Sequence, residues 1–236
     1  MDDLLTLLTE GEITLRGLLP YGSNYTFLAD VHTGDRRAAA VYKPSKGEQP
    51  LWDFPPETLA HREAAAYVVS EALGWSFVPP TVLRRDGPYG RGSLQWFVDA
   101  DPELHYLILP DDEKRALGRV MAFDVLLNNA DRKSGHVLKD SHGKIWLIDH
   151  GLCFHHEPKL RTVIWELAGE PLPADLLSDL CNFSEKLGSD PALGESLSGL
   201  LAASEIRALQ RRAAALVEAA RYPLPGPGRN YPWPPV

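Results

Sequence analysis

The sequence predicts a compact α+β fold of two lobes, a mixed N-terminal lobe and a mainly helical C-terminal lobe. Three observations carry this. Between Ile13 and Pro44, runs rich in β-branched and aromatic residues are joined by short turn signals. The stretch from Thr58 to Leu73 is alanine-rich and helical in pattern, and it is followed by two more strand-like runs. Beyond residue 111 the character changes to helical periodicity, which continues almost to residue 220.

At 236 residues the chain can bury a substantial core. Its 44% hydrophobic and 24% charged content belongs to a folded protein. A formal charge of -8 opposes nonspecific attraction to nucleic acid, so no nucleic-acid partner is expected, although a local basic patch is compatible with it. Cys153 and Cys181 form neither a disulfide framework nor a Cys-x-x-Cys metal site. No apolar run reaches spanning length and the N-terminus lacks a leader pattern, so the expectation is a cytoplasmic protein with no integral membrane segment.

Residues 2–9 predict a short helix with a leucine face. YTFLADV and AAAVYKP flank His32 to Asp35, a hairpin connection. From Lys43 to Pro56 prolines interrupt regular structure, and LWDFPP is expected to pack its aromatics against a lobe. The helix over 58–73 ends at Gly74. Residues 77–85 and 93–100 read as strands separated by a glycine-containing turn, and a connector follows around 99–111. Residues 111–129 read as a helix with an acidic start. A polar loop then leads to a short hairpin, Val137 to Asp140 against Lys144 to Asp149. Residues 161–220 are mostly helical, and the tail from Tyr222 is too proline-rich for a continuous helix. It could wrap across the fold or dock to a partner. The division is 1–100 for an N-terminal nucleotide-binding lobe, 101–222 for a C-terminal catalytic lobe and 223–236 for a Pro/aromatic tail.

The candidate chemistry sits at element ends. A phosphotransferase needs a cradle for phosphates, a cation touching them, and groups that position metal and acceptor. Gly22, Ser23 and Asn24, between two strands, could turn backbone N–H groups toward phosphate, or form an ordinary polar turn. Lys43 ends the strand VYKP, and Glu63 on the next helix could orient its ammonium. Asp131, in the loop NNADRKSGHVL, could orient an acceptor hydroxyl, take its proton or help position metal. Asp149, after IWLI, could face magnesium, which prefers oxygen ligands. Read alone, the two carboxylates could equally be caps or turns. The histidines 136, 142, 150, 155 and 156 suggest a metal hydrolase, but their order lacks a His-Glu-x-x-His pattern.

In this order, GSNYTFLADV from Gly22, AVYKP, REAAAYVVSEALGWSFVPPTVL from Arg62, GSLQWFV from Gly92, DVLLNNADR from Asp124 and IDHG from Ile148 resemble the phosphatidylinositol 3-/4-kinase-like superfamily. In motif style they are nearest the compact type II phosphatidylinositol 4-kinases, and more distantly the HipA-type kinases. The resemblance spans roughly residues 16–156 and implies a protein-kinase-like fold using ATP with Mg2+ or Mn2+. It implies that Lys43 binds ATP phosphate with Glu63 in support, and that Gln95, Trp96, Phe97 and Val98 lead into an adenine-contacting hinge. Asp131 would be the catalytic-loop aspartate, with Arg132 ordering the loop and Arg132 or Lys133 stabilising phosphate charge. Asp149 would be the principal metal ligand. Where many members carry asparagine five residues after the catalytic aspartate, this chain has His136, a second metal-ligand candidate. Asn129 and Asp124 also match.

The implied function is transfer of phosphate from ATP to an alcohol, of an inositol-containing or other small metabolite or a protein. No palmitoylation segment or membrane-binding helix argues for a lipid acceptor. The alternative is a nucleotide-binding pseudokinase or interaction module, suggested by His136 and the Pro/aromatic tail.

Overall fold

The structure, a computed structural model, describes residues 2–19, 24–101 and 103–236. Its N-terminal lobe is a five-stranded antiparallel sheet between two helices. The strands are β1 (Glu12–Leu18), β2 (Phe27–Thr33), β3 (Arg36–Pro44), β4 (Thr81–Gly87) and β5 (Gly90–Trp96), in the order β1-β2-β3-β5-β4. The β2–β3 hairpin turns on Gly34 and Asp35. Gly34 takes φ of 59°, the left-handed conformation that suits glycine at the first position of a two-residue turn.

Strand alternation sorts the side chains onto two faces. Helix α1 (Asp2–Glu10) covers one, where Leu7 and Leu8 pack with Val31, Ala40, Tyr42 and Leu94. Helix α2 (Leu59–Ala72) covers the other. It is buried on nearly every side, because it lies between the sheet and the second lobe. Arg62 anchors it there. Its guanidinium donates to Cys153 O at 2.7 Å, pairs with Glu205 at 2.5 Å and stacks over Phe54.

The C-terminal lobe is built around α4 (Gly118–Leu127), buried on most sides and central to the larger core. Around it lie α3 (Asp111–Ala116), α5 (Ala174–Ser189), α6 (Pro191–Ser198) and α7 (Ala203–Ala219), with the hairpin of β6 (Val137–Lys139) and β7 (Ile145–Leu147). No helix among the described residues is long and apolar enough to cross a membrane.

The bilobal α+β architecture agrees with the sequence reading, and several elements differ in extent. The strand expected from residue 77 begins only at Thr81, because Pro79 and Pro80 cannot join the ladder, and its partner ends at Trp96 rather than residue 100. The helix expected over 111–129 breaks at Leu117. A side chain at Gly118 would collide with the Tyr222 hydroxyl, so the second helix starts on a glycine packed against the tail. The residues 161–173 are irregular, with helix beginning at Ala174. Of the LWDFPP aromatics Phe54 is buried, whereas Trp52 is 90% exposed with the Lys159 ammonium over its ring.

The tail does wrap across the fold. Asn230 O accepts from Thr162 N–H and Trp165 Nε1–H, and Pro235 O accepts from Ser134 N–H at 2.8 Å.

Candidate active site between the lobes

Lys43 is the second-last residue of β3 and points from the α2 face of the sheet. Its ammonium lies 2.5 Å from Glu63 Oε1 and 2.9 Å from Asp149 Oδ1. Glu63 uses its other oxygen to accept the His150 N–H at 2.9 Å. One buried carboxylate therefore ties the sheet cation to the segment carrying Asp149. Burial opposes charge on Lys43, but Asp149 and Glu63 outweigh it and raise its pKa above the ordinary lysine value. Asp149 answers in kind. Burial disfavours its charge, yet Lys43 and then His136 hold its carboxyl well below the usual range.

Asp149 has φ of 60°, two residues past β7. This left-handed turn sets the carboxylate, about half exposed, between Lys43 and His136. His136 Nε2 lies 3.2 Å from Asp149 Oδ2, while Lys133 N–H donates to His136 Nδ1 at 3.4 Å. With Nδ1 accepting, the ring proton sits on Nε2 and faces Asp149. Burial pushes His136 down to about 4, so the ring is neutral at pH 7. In this arrangement His136 is a hydrogen-bond donor to Asp149. Ligation through Nε2 would need the proton moved to Nδ1, against the Lys133 N–H.

Asp131 stands in the loop after α4, with its backbone N–H on Asn129 Oδ1 at 3.0 Å and its carboxylate 3.8 Å from Lys133 Nζ. Burial drives its pKa up to about 6, with Lys133 opposing and Asp149 adding. A carboxyl in that range fits a proton acceptor working near neutral pH.

The loop is held by a sealed network. Arg132 and Asp124 are both fully buried and paired at 2.9 Å. Asp124 also accepts from Asn129 Nδ2 and Thr162 Oγ1. Arg132 spends its remaining donors on Ile148 O, His136 O and His150 Nε2. Its guanidinium is fully buried among these partners, a placement that suits the loop-ordering part of its expected role. It is the strut that joins the Asp131 loop to the Asp149 loop. Ser134, also buried, accepts from Leu107 N–H and shares a hydrogen bond with His105.

The other candidates divide. Gln95 shares a face with Lys43, since Val41 pairs with it and Ser93 with Lys43, but its amide is buried on Thr81 Oγ1. Trp96 points to the opposite face, toward Tyr42 and Leu94, and meets Trp146 edge-on. Its backbone N–H is taken by Pro80 O and that of Phe97 by Ala39 O; Val98 is buried. The Gln95 side chain and the Trp96 and Phe97 backbone donors are thus already engaged within the protein. Asn24 Oδ1 accepts from Gln49 N–H, tying its turn to the segment after β3. Gly22 and Ser23 lie outside the described residues.

The family model described as phosphatidylinositol 3- and 4-kinase matches residues 56–204. The chain belongs to that family. A Mycobacterium tuberculosis protein, Rv2133c, is 42% identical over 99% of this chain and 95% of its own length. Phosphatidylinositol 4-kinase gamma 4 of Oryza sativa is 31% identical over 48% of this chain, a match that spans only 24% of the plant protein. Among solved structures, the Golgi casein kinase with Mn/ADP bound superposes over 93% of this chain and 75% of its own, with a TM-score of 0.65 at 17% identity, a likeness of fold. These matches establish the phosphatidylinositol 3-/4-kinase-like superfamily, with a fold shared by the Golgi casein kinase. They do not single out the type II branch or the HipA-type kinases.

Within this family member, the metal question turns on the donors at Asp149. Among the described residues no three His, Cys, Asp or Glu side chains converge on one point. His150 Nε2 accepts from Arg132, and His155 Nδ1 accepts from Glu157 N–H at 3.0 Å, so both have structural partners. A protein-only transition-metal site is not assembled from them. Magnesium or manganese carried by a nucleotide needs less, because phosphate oxygens and waters complete its shell. Asp149, an ionised and half-exposed carboxylate at the cleft, is the residue that could hold such an ion. The sequence pointed to Asp124, Asn129 and Arg132 and to a tail that could wrap across the fold; it missed Thr162 as a partner of Asp124 and the tail's contacts with Ser134 and Thr162, made by residues far apart in the chain.

Proposed function

We propose that the protein is an ATP-dependent phosphotransferase acting on an alcohol group. The observation that carries this reading is the Lys43 ammonium held between Glu63 and Asp149, with the Asp131 carboxylate on the adjoining loop. Membership of the family and the kinase-like fold are consistent with it.

Lys43 would bind nucleotide phosphate, its charge maintained by Glu63 when Asp149 turns to metal. Asp149 would hold the divalent ion, with His136 orienting the carboxylate through Nε2–H. When bound, that ion neutralises phosphate charge and fixes phosphate geometry. Asp131, ionised above about pH 6, would align the acceptor hydroxyl and take its proton as the new oxygen–phosphorus bond forms and the bond to the departing ADP breaks. Lys133, 3.8 Å from Asp131, would face the transferring phosphate, whereas Arg132 fixes the loop. Catalysis would rest on positioning and electrostatics.

The plant relative is named for a lipid substrate and the structural neighbour for a protein one. Both phosphorylate hydroxyls, so the alcohol is the common denominator, and a small polar alcohol or a protein hydroxyl remains the acceptor class we favour. The second reading, nucleotide binding without transfer, draws on His136, a neutral donor at the position where many family members carry asparagine.

The test is transfer from radiolabelled ATP, with Mg2+ or Mn2+, to a pooled panel of alcohol metabolites, lipids and proteins, beside Asp131→Asn. Metal-dependent transfer lost in the variant is the expected result. Saturable ATP binding with no transfer to any pool would overturn the enzyme reading in favour of the second.

A further inference from the structure

A cavity of about 480 Å³ lies apart from the Lys43–Asp149 cleft, where the end of β3, the start of α2 and the β4–β5 hairpin meet, with Gly199 after α6 closing one side. Neither Lys43, Asp131 nor Asp149 lines it. Its walls are unusual for a chain of net charge -8, because Lys46, Arg85 and Arg91 all contribute to them. The single acidic residue, Glu57, is paired with Arg91 at 3.0 Å. Lys46 and Arg85 have no ion-pair partner among the described residues, so the cavity carries uncompensated positive charge.

Two further observations point to a ligand rather than to a solvated basic rim. Ser45 lines the cavity and is only 4% exposed, and its hydroxyl has no hydrogen-bond partner among the described residues. His61 lines it from α2, and its buried Nδ1 is also unpartnered. Leaving buried polar atoms unpaired is costly, and native structures seldom do so without a reason. A hydroxyl, an imidazole and unpaired cations together are the donor set that a tetrahedral oxyanion satisfies. The volume suits a small molecule.

We propose that this cavity binds a small phosphate-bearing anion, contacted by Lys46, Arg85, Ser45 and His61. The site bears on the active centre through the backbone. Ser45 is two residues beyond Lys43 on one side, and His61 is two residues before Glu63 on the other. An anion that draws the end of β3 and the first turn of α2 together would steady the Lys43–Glu63 pair. Binding itself does not depend on the phosphotransfer reading.

The experiment is calorimetric titration of the full chain with inorganic phosphate, pyrophosphate and glycerol 3-phosphate at constant ionic strength, with chloride as control. Lys46→Gln and Arg85→Gln change exposed, unpaired side chains and leave the core intact. Each should weaken binding about tenfold, the size of a lost charge-assisted hydrogen bond. Lys43→Met, confirmed folded by its melting transition, should still bind saturably and lose less affinity than either cavity variant, because it reaches the site only through the Lys43–Glu63 pair. Amide exchange should slow at residues 45–47 and 59–62 on saturation. A preference for glycerol 3-phosphate over inorganic phosphate marks a phosphomonoester ligand, and the reverse marks the free ion; either supports the site. Three results would overturn it: no saturable binding, binding lost in Lys43→Met but kept in the other two variants, or binding that follows ionic strength alone.

Discussion

Asp149 Oδ1 lies 2.9 Å from the Lys43 ammonium, a contact that closes the cleft from the C-terminal lobe to the end of β3. The two residues are 106 positions apart and each shifts the other toward its charged form. Because Asp149 is half exposed, the pair adds little to stability, within about 1 kcal/mol. Asp149→Asn should therefore leave the melting temperature almost unchanged while removing the metal dependence of nucleotide binding. Titrating a fluorescent ATP analogue with and without EDTA reads this directly. The parent should lose affinity by at least about tenfold on chelation, the size of a lost charge-assisted contact. An equal response to EDTA in the variant would move the metal away from Asp149.

Asp131 should set the acid limb of the rate profile. With its carboxyl raised to about 6, kcat/KM should fall about tenfold per pH unit below that value, as the proton acceptor is lost. His136 titrates only near 4, so His136→Asn should leave the limb in place. The same shift has a stability consequence of definite sign. A carboxyl whose pKa is higher folded than unfolded favours the folded state at low pH, and that contribution is lost as pH rises from 3.8 through about 6. At pH 7 the ionised group thus opposes folding, by at most about 3 kcal/mol, lessened by solvent at this 30% exposed side chain. Asp131→Asn should cut activity by roughly 10²–10⁴ and raise the melting temperature. A variant that melts lower at pH 7 but not at pH 4 would contradict the assignment.

These residues were legible in the sequence because each falls in an ordered set of short motifs, with Lys43, Asp131 and Asp149 at or just past the end of an element. Lys43, Glu63 and Asp149 needed only that order, and the structure brings them within hydrogen-bonding distance. Gln95 and Trp96 show a different limit. Strand alternation puts Gln95 on the Lys43 face and Trp96 on the opposite one, so a motif that leads into the hinge does not say which of its residues faces the cleft. The supports of the Asp131 loop were hidden for another reason. Thr162 reaches Asp124 across 38 residues, and Pro235 reaches Ser134 across about a hundred, pairings that no local pattern encodes.

Asp124 and Arg132 should be indispensable as a pair and dispensable as charges. Both are fully buried, so removing one leaves the other unpaired in the core. Asp124→Asn should cost about 3–5 kcal/mol, the usual penalty for breaking a buried pair. Combining Asp124→Leu with Arg132→Met removes both charges and should recover a large part of that loss in urea unfolding. Activity should not return, because the links to Ile148 O and His150 that align the two loops are gone. A double variant no more stable than the single one would show that Arg132 acts through its other hydrogen bonds instead.

The tail should act as a brace for the catalytic loop. Truncation after Tyr222 keeps the buried ring against Gly118 but removes the acceptors for Ser134 N–H, Thr162 N–H and Trp165 Nε1–H. Each lost bond is worth about 0.5–1.5 kcal/mol, partly offset by the chain entropy released. A domain of this size loses roughly 2–4 °C per kcal/mol, so the melting point should fall by several degrees. Amide exchange should accelerate at Ser134 and Thr162 more than in α7, and kcat should drop with little change in KM for ATP, since Lys43 is untouched. If truncation instead raised turnover severalfold with Ser134 protection unchanged, the tail would be a cover over the acceptor side rather than a brace.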